Sequence, residues 1–143
     1  MSEILNSALV KVQNANYAFC RFITANDTRK NGSHQAGFYI PKCAAAILFD
    51  TPGVKGENKD KMVKVKWQDD FTTDSRFIYY GQGTRNEYRI TRFGKGFPFF
   101  EEDNVGDLLI IAQQSEDYYY GFVLQTDQDI DDFFAYFNLS PEK

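Results

Sequence analysis

A chain of 143 residues that is 43% hydrophobic, 17% aromatic and 25% charged has the size and composition of one globular domain with a real core, not of a disordered or fibrous chain. No apolar run approaches the roughly 18 residues of a membrane span, and the N-terminus MSEILNSALV lacks the leader of a signal peptide, so the cytosol is the expected compartment. With a formal net charge of −4, the surface cannot be basic throughout, and any polyanion must be held locally.

Ser2 can cap a first helix, with Glu3 at its positive end and Ile4, Leu5, Ala8, Leu9 and Val12 on one face. Residues 17–23 alternate as a strand, Tyr17, Phe19, Arg21 and Ile23 against Ala18, Cys20 and Phe22. A short extended piece over 38–40 stops at Pro41, and residues 42–49 read as a small buried helix closed by the turn DTPG at 50–53. Residues 54–60 read as a polar surface loop. Strand period returns over 61–68, where Val63, Val65 and Trp67 oppose Lys64 and Lys66. Strands are predicted over 76–80 and 87–93, flanking a glycine-punctuated loop, and over 108–113 and 119–125. Residues 127–139 close the chain as a helix, with Ile130, Phe133, Phe134 and Phe137 inward and Asp127, Asp129, Asp131 and Asp132 crowding its positive end. Seven short strands with two or three helices predict a closed or nearly closed antiparallel barrel with covered ends, in one domain without repeats or linkers. Cys20 and Cys43 show no metal-ligand or CxxC spacing and read as reduced packing positions.

Polar chemistry concentrates in two stretches, TANDTRKNGSHQAGFYIP (24–41) and GQGTRNEYRITRFGKG (81–96). Residues 21–42 carry four Lys/Arg against Asp27, and residues 76–97 carry five against Glu87, so the remainder of this acidic chain is strongly negative. Charge segregated in this way points to a polyanion gripped at one place.

On a strand beginning near Arg85, the side chains of Arg85, Glu87 and Arg89 share one face. That triplet matches the major-groove edge of a C·G pair: Arg bonds guanine O6 and N7, and a carboxylate accepts from cytosine N4. A lone Glu among basic residues is of little use to a pure phosphate binder. Thr84, Arg92 and Lys95 suit phosphates, and Gly94 and Gly96 allow close backbone approach. The plainer alternative is an exposed charge ladder across a hairpin. In the first stretch, residues 26–35 are ten consecutive polar or glycine residues, including His34, the only histidine. Such a run cannot pack a core, and loops of that length usually serve function.

Enzymatic readings exist beside this one. Glu57-Asn58-Lys59 with Asp50 upstream has the spacing of a metal-dependent nuclease, although in a polar loop accidental charge is the simpler account. His34 and Glu87 could serve as acid and base of a ribonuclease, with Arg85 or Arg89 on the phosphate. Gly81-Gln82-Gly83 lacks the third glycine of a dinucleotide fingerprint, and Tyr118, Tyr119 and Tyr120 lie in an acidic third where core packing is the better reading.

Three blocks, ANDT (25–28), HQAGFYIP (34–41) and TRNEYRITRFGKG (84–96), resemble the N-terminal effector domain of the EcoRII restriction endonuclease family, in order along most of the chain. The likeness is weak between residues 49 and 76 and after residue 96. The resemblance implies a plant-type (B-three) DNA-binding pseudobarrel: mainly β with flanking helices, seven strands and two protruding arms that grip the major groove. It implies the target CC(A/T)GG, each arm reading one half. Carried over by motif, the base readers are His34 and Tyr39 on the first arm and Arg85, Glu87 and Arg89 on the second. Asn26, Thr28, Arg29, Lys30, Ser33, Gln35, Thr84, Asn86, Tyr88, Arg92 and Lys95 would contact the DNA backbone or support the readers. Gly83 and Tyr88 stand where the family implies basic residues, which points to weaker contacts on that arm. The expectation is a monomeric domain that binds double-stranded DNA in the bacterial cytoplasm. It would have no catalytic residue, metal site or cofactor of its own, Mg²⁺ serving only a linked nuclease domain outside these residues.

Overall fold

The computed structural model describes residues 2–24, 37–40, 49, 54–93, 97–99 and 101–139. The predicted turn at 50–53 and all but the last residue of the predicted helix over 42–49 lie outside them, as does Cys43. Two helices, α1 (Glu3–Asn14) and α2 (Asp127–Tyr136), bracket seven strands: β1 (Ala18–Phe22), β2 (Gly37–Ile40), β3 (Lys59–Lys66), β4 (Thr72–Tyr80), β5 (Glu87–Thr91), β6 (Leu108–Ser115) and β7 (Tyr118–Leu124). They form one sheet in the order β1-β6-β7-β3-β4-β5-β2. One side of this sheet encloses a single core to which β2 through β7 and Ile23 all contribute, so the sheet curls into a pseudobarrel.

Both helices start as the sequence predicts. Ser2 Oγ accepts from Leu5 N, and Thr126 Oγ1 accepts from Asp129 N. Ser2 Oγ also donates to Asp129 Oδ2 at 2.8 Å, tying the two helix starts together. Both helices lie on one side of the sheet. They pack against the outer side of β6 and β7, where Leu5, Ala8 and Leu9 meet Leu108, Ile110, Phe122 and the α2 residues Ile130, Phe133 and Phe134. With Leu109 and Ile111 facing the barrel interior instead, β6 is covered on both sides, which explains its unbroken apolar run.

Several boundaries differ from the sequence reading. β3 begins at Lys59, inside the predicted polar loop, because Lys59 to Lys66 pair with residues 72–79 of β4; cross-strand pairing overrides local polarity. β4 reaches back to Thr72, and its inward Thr73 and Ser75 are buried but hydrogen-bonded. β5 stops at Thr91 because Arg92 turns to a φ of 66°. One strand pair is parallel, β3 on β7, against the all-antiparallel expectation. That pairing is prolonged by the Gln68 side chain, whose amide exchanges bonds of 2.7 and 3.1 Å with the Val123 backbone.

Candidate nucleic-acid interface

Alternation along β5 sends Tyr88 and Ile90 into the core and Glu87, Arg89 and Thr91 outward. Two neighbours extend this outer face: Tyr39 of β2 lies opposite Arg89, and Tyr80 of β4 lies opposite Glu87. Arg85 precedes the strand rather than starting it, yet the predicted triplet assembles. Glu87 Oε1 accepts from Arg85 Nε at 3.0 Å and Nη2 at 2.8 Å, and its Oε2 accepts from Arg89 Nε at 2.9 Å. The Arg85 guanidinium also stacks 3.6 Å over the Tyr80 ring. Burial works to raise the Glu87 pKa, but the bonds and charges of Arg85 and Arg89 outweigh it, and the net shift is downward. The result is one anion between two cations, its geometry set before any ligand arrives.

The loop joining β4 to β5 is held from the side by the turn before β3. Lys55 Nζ donates to the carbonyls of Gly81, Gly83 and Arg85. Asn58 Oδ1 accepts from the amides of Gly81 and Gln82, and Gly56 N donates to Gly81 O at 2.7 Å. A Cβ at position 81 would collide with the Glu57 carbonyl and the Tyr79 ring, so this approach requires glycine. Asn86 is fixed as well, its Oδ1 accepting from Tyr79 Oη at 2.8 Å.

The far end of β5 is anchored through the core. Trp67 Nε1 donates to Thr73 Oγ1 at 3.0 Å, Thr73 and Ser75 hydroxyls bond at 2.8 Å, and Ser75 Oγ donates to Arg92 O at 3.1 Å. Phe93 and Phe97, on either side of residues 94–96, stand 4.9 Å apart and both pack on Trp67. Arg92 itself is exposed in a left-handed conformation.

The structure thus gathers Tyr39, Arg85, Glu87 and Arg89 on one face, with exposed Thr84 and Asn86 at its edge and Arg92 beyond its other end. Tyr88, expected to contact the backbone or support the readers, is buried at 5% exposure with its ring 4.8 Å from that of Tyr79, and packs beneath the outward Glu87 and Arg89. Asn26, Thr28, Arg29, Lys30, Ser33, His34, Gln35 and Lys95 lie outside the described residues, as does Asp50. Glu57 is exposed in the turn beside Asn58, and Lys59 has its ammonium 4.9 Å from the Phe49 ring. Among the described residues, no three His, Cys, Asp or Glu side chains gather as metal ligands. Sequence reasoning missed Lys55 and Asn58, since their bonds reach across at least 23 residues and leave no local pattern.

Residues 12–136 match the family described as "Restriction endonuclease EcoRII, N-terminal". Over 120 residues the chain is 29% identical to the Type II restriction enzyme EcoRII of Escherichia coli, covering 78% of this chain but only 30% of that enzyme. The fold is similar to the B3 domain of the UbaLAI restriction endonuclease, solved with cognate DNA, at a TM-score of 0.57 and 18% identity over 99% of this chain and 94% of that one. It is also similar to the FUS3 protein of an Arabidopsis FUS3–DNA complex, at a TM-score of 0.50 and 15% identity over 76% of this chain and 97% of the other.

Proposed function

Because this chain belongs to the EcoRII N-terminal family, we propose that it binds double-stranded DNA in a sequence-specific manner through the major groove and serves as the target-recognition domain of a Type II restriction endonuclease. The observation that carries this reading is the Arg85–Glu87–Arg89 bridge on an outer face shared with Tyr39. Arginine donors suit guanine, and an ionised carboxylate suits cytosine N4. The target CC(A/T)GG supplies C·G pairs on both sides of its centre, and the family makes it the first sequence to test.

Strand register supports a two-armed grip. Gly37 lies opposite Thr91 and Ile40 opposite Tyr88, so the chain enters β2 at the Thr91 end, while the loop at 81–86 feeds β5 at the Glu87 end. The two ends of β5 are roughly 13 Å apart at about 3.3 Å per residue, close to the ~12 Å width of the major groove. Basic residues read from sequence in both arms then hold phosphates and set register, while the acidic remainder disfavours other orientations. In this reading the chain performs no catalysis. Cleavage, with its Mg²⁺, belongs to a nuclease domain elsewhere in the full-length protein.

Selection of random duplexes by the purified chain, followed by sequencing, tests this. The expected result is one enriched motif and intact nucleic acid. Metal-independent RNA cleavage abolished by substitution of His34 would replace the proposal with the ribonuclease reading, and no enriched motif would end the specific-binding one. Affinity should also fall with salt by a slope of about 0.9 per phosphate neutralised. Arg29→Ala and Lys95→Ala should weaken cognate and random duplexes alike and make that slope shallower by about one unit each; effects confined to the cognate duplex would reassign both residues to base reading.

A further inference from the structure

Resting on the duplex reading above, we infer that Lys55 is a positioning residue for sequence discrimination: by drawing the carbonyls of Gly81, Gly83 and Arg85 onto one ammonium, it fixes where the Arg85 side chain leaves the loop toward Glu87.

The three carbonyls come from a turn of only a few residues, closed by Arg85 N donating to Gln82 O at 3.2 Å. Three oxygen dipoles converging on one point repel each other unless a cation sits among them. An ammonium has three N–H donors and no acceptor, so it can give one bond to each. Lys55 Nζ lies 3.0 Å from Gly81 O and 2.7 Å from Arg85 O, with Gly83 O as its third partner. Arg85 is therefore tied at both ends: its carbonyl to Lys55, and its guanidinium to Glu87 and the Tyr80 ring. Loosening the backbone end changes where the guanidinium points without removing it. An ammonium whose donors are all spent inside the protein is also poorly placed to bond a phosphate. Its effect should appear in the preference for one sequence over another, not in general affinity.

Asn58 secures the same loop from the amide side through Gly81 and Gln82. Lys55→Met consequently removes one support and leaves another, and the variant is expected to fold. Two measurements test the inference, with the wild-type selection run first so that failure of the duplex reading is recognised separately.

In the first, affinities for the enriched duplex and a random duplex are compared across salt concentrations. Lys55→Met should lower their ratio about tenfold, as expected for loss of charge-assisted bonds, with the salt slope unchanged. In an Arg85→Ala background the same substitution should change the ratio little, because its effect passes through Arg85. An unchanged ratio overturns the inference. So does an equal loss on both duplexes with a slope shallower by about one, which would make Lys55 a phosphate contact, or an undiminished loss in the Arg85→Ala background. The second measurement needs no DNA: the Arg85 amide should exchange its hydrogen faster in Lys55→Met than in wild type, and unchanged protection overturns the inference whatever the chain binds.

Discussion

Trp67→Ala should lower the free energy of unfolding by about 3–5 kcal/mol, the usual cost of removing a large buried aromatic side chain, and move the urea midpoint down at unchanged slope. Trp67 is 2% exposed and meets the rings of Phe93, Phe97 and Phe99. Gly121 leaves room for it so closely that a Cβ there would overlap the indole. The surrounding strands therefore cannot collapse far into the space left behind. The indole N–H also heads the hydroxyl relay through Thr73 and Ser75 to the Arg92 carbonyl. Arg92 sits at a φ of 66°, a conformation that costs a non-glycine residue on the order of 1–3 kcal/mol and persists only where its surroundings enforce it. Trp67→Phe keeps a ring but removes the donor, and should cost less than the alanine variant. A loss below about 1 kcal/mol for Trp67→Ala would mean that the aromatic cluster is not the core's keystone.

What the sequence disclosed, and what it hid, follows from the range of the interactions involved. The cap at Ser2, the alternation of β5 and the paired β6 and β7 are written in residues within a few positions of one another, so periodicity and capping chemistry reveal them. Glu87 and Arg89 outward with Tyr88 and Ile90 inward is a direct product of the two-residue period. The parallel pairing of β3 with β7, the place of the helices on β6 and β7, and the bond from the inward Ser75 hydroxyl to the Arg92 carbonyl depend on partners far along the chain. No local signal separates a polar strand residue with a buried partner from a polar loop residue. Lys55 and Asn58 were hidden for the same reason: the stretch 54–60 reads as solvated charge until β3 and β4 pair and bring it against the loop at 81–86. The resemblance named Tyr39, and strand register sets that residue opposite Arg89.

Glu87→Ala should lower affinity for the selected duplex more than Arg85→Ala does, and should relax preference at one base pair. On the proposed duplex reading, Arg85→Ala would remove one bidentate reader, worth about 1–3 kcal/mol of discrimination. Glu87→Ala would, on the same proposed reading, remove the acceptor for cytosine N4, and it removes the anchor of both arginines, leaving two like charges side by side. Titration of the Glu87 carboxyl carbon by NMR in the free chain tests that anchor directly. Burial raises its pKa, the arginine bonds lower it by more, and the folded value therefore lies below that of an ordinary glutamate. The sign of the linkage follows: the bridge contributes its full stability above the unfolded-state pKa, and the contribution is lost as pH falls through the lower folded one. Arg85→Ala or Arg89→Ala should move the midpoint upward, each removing one stabilising cation. A wild-type midpoint at or above the ordinary glutamate value would show that the bridges do not form in solution. The triplet would then be an exposed charge ladder, and specificity would have to come from elsewhere on the arms.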